Sequence, residues 1–508
     1  MSTNEEKNKM SRTDEDQYET ENSVLDCFLP HNFKTYLSEN FSGEAKYLKK
    51  LHYEFAKKLM SKLPIGYMSL DSGYPWFCYW ITNILEMTKD KYDLSYDTKL
   101  KFVEMLKELQ HPDGGFCGMP KGYAHLISTY SAMMAIVNLG IKEAYDIVDI
   151  MKMKEFLIRM KNNHFNIKDK PSYIDKNGVF LIYRNESEKN EENNKENKES
   201  KNEENKNENK ESKNEENKNE NKESQNEENK NENKESQNEE NKNENKESKN
   251  EENKNENLQK NIEKSCSFIN CSSSHSCYPG TFQNHINGES DLRSTYCALT
   301  VCYILNLLSE PLLTSGVISY IQSCQTFEGG FGPEPYCEAH GGYSFCAIAS
   351  LILLNSLHTI DIKSFIRWLT LRQMIKEGGF NGRTNKLVDS CYSYWQGSIF
   401  NMLIMGDKDL SYDSELLYDQ LSLQAYILFA CQSGKGGLID KPGKGPDLFH
   451  TNYATAGLIL SEKCLMDGVN VALSYDIEKE FGEFNPIFGV MDDNVKKAVK
   501  YYREKYEE

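Results

Sequence analysis

Apolar residues recur every three to four positions through long stretches of this chain, and glycine-rich breaks separate the stretches. SFIRWLTLRQMI (364–375) and LLYDQLSLQAYILFACQ (416–432) are examples of this helical spacing. The breaks repeat: DGGF begins at Asp113, EGGF at Glu328 and again at Glu377, KGGL at Lys435, and a degenerate PGTF at Pro279. After each comes a polar residue and a small, aromatic-rich helical segment. These read HLISTYSAMMAI from His125, DLRSTYCALTVC from Asp291, HGGYSFCAIASL from His340, DSCYSYWQGSIF from Asp389 and HTNYATAGLILS from His450. Each unit predicts two helices joined by a glycine turn. Such hairpins cannot bury their apolar faces alone, so five or six of them stack around a shared core. The class is all-α. Periodicity leaves an open solenoid and a closed ring as alternatives.

The last four segment starts are 49, 49 and 61 residues apart, whereas the first interval, His125 to Asp291, is 166. About 117 extra residues therefore interrupt one unit, at roughly 164–279. Composition agrees. Residues 186–257 repeat a 12-residue unit, NEENKNENKESK or its Gln-ended variant, from Asn202, Asn214, Asn226 and Asn238. This tract has no apolar residues to offset its ordering entropy and is expected to be disordered, as are residues 1–22. Its 25 Glu and 15 Lys carry −10 of the net −18, leaving an ordinary −8 for the rest. No basic face points to nucleic acid. No apolar run approaches the roughly 18 residues of a membrane span, and the polar, acidic start is not a secretory signal. With 14 cysteines and no such signal, a cytoplasmic protein with free thiols is expected.

The five segment starts read His125, Asp291, His340, Asp389 and His450. As N-caps these suit aspartate well and histidine poorly. The alternative is that they converge at one end of a ring. Cys266, Cys271, Cys277 and His275 fit no familiar zinc-finger spacing and are not assigned a metal.

CQTFEGGFG…EAHGGYSFCA, EGGFNGRTNKLVDSCYSYWQ, KGGLIDKPGKGPDLFHTNY, DLRSTYCAL and PWFCYW resemble the defining stretches of protein prenyltransferase β subunits, the farnesyltransferases in particular. The resemblance runs from about Leu70 to Glu462 apart from the insertion. It implies a closed α/α toroid of six hairpins over residues 23–508, interrupted by the tract at 186–257. It also implies an obligate heterodimer with an α subunit, and transfer of farnesyl from farnesyl diphosphate to the cysteine of a C-terminal Cys-a-a-X sequence.

By the same resemblance Asp389, Cys391 and His450 are zinc ligands, a donor set that suits zinc and leaves a fourth position for the substrate thiolate. His340, Arg383, Lys386 and Tyr392 would bind the diphosphate, within the contact segments His340–Gly341–Gly342–Tyr343, Arg383–Thr384–Asn385–Lys386 and Tyr392–Ser393–Tyr394–Trp395. Asp440 matches a magnesium-binding carboxylate. Trp76, Tyr130, Arg293, Tyr296, Tyr343, Cys346, Trp395 and Tyr453 match the prenyl pocket, in which bulk at Trp76 and Tyr453 suits the farnesyl chain. His125 and Trp80 match acceptor-side positions.

The chain departs from the family's pattern at Asp447-Leu448-Phe449-His450, at Ile127-Ser128 and at Gly73-Tyr74, so the preferred terminal residue of the acceptor is not carried over. Three alternatives stand beside this reading. A type I geranylgeranyltransferase is opposed by Trp76, Tyr453 and Asp440. A terpene cyclase is opposed by the lack of DxDD or DDxxD motifs. A non-catalytic helical module would have no need of the triad.

Overall fold

The computed structural model describes residues 11–28, 46–89, 94–162, 278–406, 417–462 and 481–507. Its principal helices begin with α1 (Arg12–Phe28), α2 (Lys49–Ser61), α3 (Tyr74–Thr88), α4 (Tyr96–Leu109) and α5 (Leu126–Leu139). After these come α6 (Ile150–Met160), α7 (Leu292–Ile304), α8 (Val317–Ser323), α9 (Gly341–Leu353) and α10 (Ile362–Thr370). The series ends with α11 (Tyr392–Trp395), α12 (Gly397–Gly406), α13 (Gln420–Ala425), α14 (Leu448–Glu462) and, after a short hairpin, α15 (Asp492–Glu507).

Two kinds of helix alternate. Thirteen of the 14 residues of α5 are buried, whereas α4 buries a single stripe formed by Lys99, Phe102, Val103, Leu106 and Leu109. A helix apolar on all sides is stable only when surrounded, so α3, α5, α7, α9, α11–α12 and α14 form the inner layer. The striped helices α2, α4, α6, α8, α10 and α13 lie outside. The inner helices pack in that order, and α14 packs back against α3. The ring is closed, with six hairpins.

Closure uses the repeated glycines. Gly378 has φ +79°, and a Cβ there would stand 2.4 Å from the Ser422 carbonyl oxygen on α13, the next outer helix. Gly436, φ +89°, makes the same approach to Leu51 O on α2, also 2.4 Å. The fifth and last glycine turn thus docks on the first outer helix as its predecessors dock on theirs.

A polar staple completes this seam. Buried His52 accepts the Gly437 amide at Nδ1 (2.9 Å) and meets Gln432 Oε1 at Nε2 (2.9 Å). Burial pushes the His52 pKa down to about 4, against the partial opposing effect of Gln432. The folded ring therefore holds this imidazole neutral, while the unfolded chain takes up a proton below about pH 6.5. Stability linked to His52 is complete above that value and is lost as pH falls towards about 4, by up to about 3 kcal/mol. Denaturant unfolding at stepped pH checks this. His52→Gln is expected to flatten the profile between pH 6.5 and 4, and an unchanged slope would rule His52 out as its source.

The hairpin of β1 (Phe484–Asn485) and β2 (Val490–Met491) lies across the ring. Tyr79, Tyr296 and Tyr394, from three inner helices, donate to the carbonyls of Gly489 (2.9 Å), Ile487 (2.7 Å) and Pro486 (3.1 Å). Buried hydroxyls need such partners. The tip of this hairpin closes one end of the ring.

Where the sequence expects an insertion, the chain leaves and returns at one point. Lys161 bridges Phe282, Asn162 N donates to Thr281 O (2.9 Å), and Gln283 N donates to Met160 O (2.7 Å). Lys161 Nζ reaches Gly280 O at 2.6 Å, and burial lowers its pKa to about 7. The repeat tract, Cys266, Cys271, Cys277 and His275 lie outside the described residues.

One expectation needs correction. Residues 12–22, expected to be disordered, form most of α1. This helix buries Thr20, Val24 and Phe28, and it holds Lys376 through Glu21 (2.6 Å) and Glu377 through Gln17 (2.8 Å).

Candidate active site

The inner helices begin where the glycine turns deliver them, and their first residues carry the chemistry. Asp291 is a full N-cap, with a capping box to Ser294. His340 caps through Nδ1, which accepts the Gly342 amide at 3.0 Å. Asp389 accepts the Cys391 amide at 2.8 Å. His125 is an N-cap residue without a side-chain hydrogen bond, its ring centroid 5.7 Å from that of His285. His450 departs from the series. Asp447 caps this helix instead, accepting the His450 amide at 2.8 Å, so His450 lies within the first turn of α14. The capping and converging readings therefore both hold, for different members of the set.

Asp389, Cys391 and His450 each present a ligand atom, and the three atoms lie within 4.8 Å of one another. His450 Nε2 is 3.4 Å from Asp389 Oδ1, while Nδ1 bonds Asp447 Oδ2 at 2.6 Å. A carboxylate on Nδ1 fixes the tautomer and leaves Nε2 as the ligating nitrogen. Burial alone would lower the His450 pKa, but Asp389 and Asp447 together raise it to about 9. Burial, then Asp389, pushes the Cys391 thiol well up. An acid, a thiol and an imidazole held this way are a donor set that a zinc ion satisfies. Asp447 was not singled out from the sequence. Its signal was an aspartate three residues before a histidine at a helix start.

Beside the triad, His340 Nε2 meets the Tyr392 hydroxyl at 3.1 Å. Burial and, after it, the Arg383 charge lower the His340 pKa, keeping the imidazole neutral. With Nδ1 accepting from Gly342, the ring proton sits on Nε2. Tyr343 lies 5.6 Å from His340, and Arg293 stands 5.6 Å over the Tyr343 ring. Arg293 is itself held by Asp291 at 2.6 Å.

Arg383, Thr384, Asn385 and Lys386 form one loop, fixed by Asn385 at φ +59° and by Asn381 Nδ2 on Lys386 O (3.0 Å). From behind, buried Arg372 donates to Thr384 Oγ1 at 3.0 Å. The loop is locked to α9 by the Gly341 amide on Gly382 O (2.8 Å), and Gly341 itself leaves room for Gln396. Ser393 is buried where Gly457 of α14 approaches α11. Asp440 is near the triad, but both its oxygens bind Lys441 Nζ at 2.5 Å.

The ring interior is aromatic all the way round. Trp76 contacts Tyr130 (5.9 Å between centroids), Tyr130 contacts Tyr296 (5.4 Å), and Tyr296 contacts Phe345 (5.2 Å). Phe345 contacts Trp395 (5.0 Å), and Trp395 contacts Tyr453 (4.3 Å). Tyr453 then reaches Phe449 (4.9 Å), Phe449 reaches Trp80 (5.8 Å), and Trp80 returns to Trp76 (5.3 Å). Cys346 is buried on α9, and Tyr394 stacks on Tyr453 at 5.5 Å. Phe345 and Phe449 complete this belt, and the sequence reading assigned neither of them to the prenyl pocket. A cleft of about 460 Å³ opens beside the triad, lined by Tyr67, Leu70, Trp80, Asp447, Phe449 and His450 among others.

Comparison with known proteins places this geometry. A family described as the prenyltransferase alpha-alpha toroid domain matches residues 48–180 and 255–490. The chain is 27% identical over 409 residues to the protein farnesyltransferase subunit beta of Schizosaccharomyces pombe, covering 80% of this chain and 76% of that protein. It is 40% identical to the geranylgeranyl transferase type-1 subunit beta of Arabidopsis thaliana, over 193 residues that span 36% of this chain and 48% of the other. Among solved structures, the Candida albicans protein geranylgeranyltransferase-I complexed with GGPP superposes with a TM-score of 0.55 at 19% identity, over 90% of this chain and 99% of that one. At that identity the likeness speaks for the fold.

Proposed function

The chain belongs to the prenyltransferase α–α toroid family, and on that premise we propose that it is the catalytic β subunit of a protein farnesyltransferase. It moves farnesyl from farnesyl diphosphate to the cysteine thiol of a C-terminal Cys-a-a-X sequence. The observation that carries this reading is a metal-competent Asp–Cys–His triad at the mouth of a closed aromatic ring. The long farnesyltransferase match in the comparisons supports it.

Asp389, Cys391 and His450 would hold a zinc ion, and Asp447 orients the histidine. Bound zinc supplies a Lewis acid that keeps an acceptor thiol ionised at neutral pH. The chain's own residues do the rest. Tyr130, Tyr296, Trp395, Tyr453 and Trp76 enclose the isoprenoid and exclude water. His340 Nε2–H, the Tyr392 hydroxyl, Arg383 and Lys386 stabilise the charge that gathers on the departing diphosphate. Asp440 is the carboxylate that would hold a magnesium ion alongside the diphosphate.

An α subunit completes the enzyme. Phe327, Tyr336 and Ile375, fully exposed on the turns, are surface for such a partner. No helix among the described residues is long and apolar enough to cross a membrane.

The test is transfer by this chain co-expressed with its α partner, using a Cys-a-a-X peptide and farnesyl or geranylgeranyl diphosphate, with and without zinc. Zinc-dependent transfer that favours farnesyl is expected. A preference for geranylgeranyl keeps the fold and overturns the isoprenoid assignment. No transfer from a stable heterodimer overturns the enzyme reading.

A further inference from the structure

The cations around the mouth of the ring are not bare. Arg293 is held by Asp291 (2.6 Å), Lys441 by Asp440 (2.5 Å) and Arg383 by Glu338 (2.5 Å). Lys386 alone of this group is exposed with no ion-pair partner among the described residues. The three acids differ in what else they do. Asp291 caps α7 through the Arg293 and Ser294 amides, and Asp440 is largely buried beneath its lysine. Glu338 makes no hydrogen bond among the described residues except the one to Arg383.

We propose that Glu338 is an exchangeable counter-ion. It holds the Arg383 guanidinium while the site is empty, yields it to the arriving diphosphate, and takes it back as diphosphate leaves. The proposal rests on the reading of Arg383 as a diphosphate donor.

Placement supports the exchange. Glu338 lies two residues before His340, and both Glu338 and Arg383 act electrostatically on that imidazole, so the pair borders the proposed diphosphate donors. Strength supports it as well. Glu338 and Arg383 side chains are 45% and 40% exposed, and ion pairs this open to water are weak. A diphosphate offers several oxygens to the planar guanidinium fork and is the better partner. Glu338 nonetheless opposes binding twice, by competing for Arg383 and by repelling the anion. It is therefore a positioning residue that lowers affinity and speeds release.

The experiment measures binding of farnesyl diphosphate and of inorganic pyrophosphate to the heterodimer, with wild-type chain and with Glu338→Gln. The variant is expected to bind both about 3- to 10-fold more tightly and to release pyrophosphate correspondingly more slowly, with the acceptor-peptide KM unchanged. In an Arg383→Gln background most of that gain should vanish, a coupling that a merely structural role would not produce. Unchanged or weaker binding by Glu338→Gln, or an equal gain without Arg383, overturns the proposal. A wild-type heterodimer that binds no prenyl diphosphate overturns the functional reading instead.

Discussion

Cys391→Ala is expected to strip zinc from the heterodimer and to cut farnesyl transfer by at least about 100-fold, with helical content near wild type. Removing a partner one shell further out typically costs 10- to 100-fold in metal affinity or activity, so losing a direct ligand sets a floor at that level. The fold should tolerate the change. Cys391 is buried at the start of the short helix α11, and alanine fills much of the same space without leaving a polar atom unpaired. Zinc content by atomic absorption, circular dichroism and single-turnover transfer on one preparation separate the effects. A full equivalent of zinc retained with normal transfer would remove Cys391 from the metal site. A collapsed helical signal would show that the thiol matters to packing instead.

The second large effect concerns chain length. Trp76→Thr should move the enzyme from farnesyl towards geranylgeranyl diphosphate, changing the ratio of the two kcat/KM values by about 10- to 100-fold. Trp76 stands in the aromatic belt between Trp80 and Tyr130 and has Tyr79 beneath it (6.0 Å). Removing its indole opens volume on the α3 side of the belt. Each added methylene that finds cover there contributes about 0.8 kcal/mol, so a further isoprene unit has several kcal/mol to gain against imperfect packing. Competition between the two diphosphates reads the ratio directly. An unchanged ratio would place the end of the chain elsewhere, against Tyr453 or the hairpin tip.

Much of this was legible because the repeat imposes one requirement many times. Gly378 and Gly436 stand where a neighbouring carbonyl leaves no space for a side chain, so the glycine turns survive as a readable period. The unequal intervals between the segments after them mark where the interruption falls. Ring against solenoid was not legible in the periodicity, because closure depends on the rotation between successive hairpins. The family resemblance implied the ring, and its closure is seen where Gly436 meets Leu51 and Gln432 meets His52. The triad needed the family resemblance, since His450 is far in sequence from Asp389. Asp447 stayed hidden because its role depends on where α14 begins, and helix boundaries are the least certain part of a sequence reading. α1 was missed for a different reason. Its charged sequence buries three residues against a surface supplied by other parts of the chain.

The hydrogen-bonded segments at 160–162 and 281–283 make the ring indifferent to the length of what they connect. Closing a loop costs free energy that grows only with the logarithm of its length, about 0.6 kcal/mol for each doubling. Removing residues 186–257 should therefore change the ring's stability by roughly 1 kcal/mol or less, and leave transfer rates about as they are. A large loss of transfer would mean that this tract takes part in the chemistry. Otherwise the fastening is a port through which sequence can be added or lost over generations without the enzyme registering it, and the repeats from Asn202 onward read as the record of such copying.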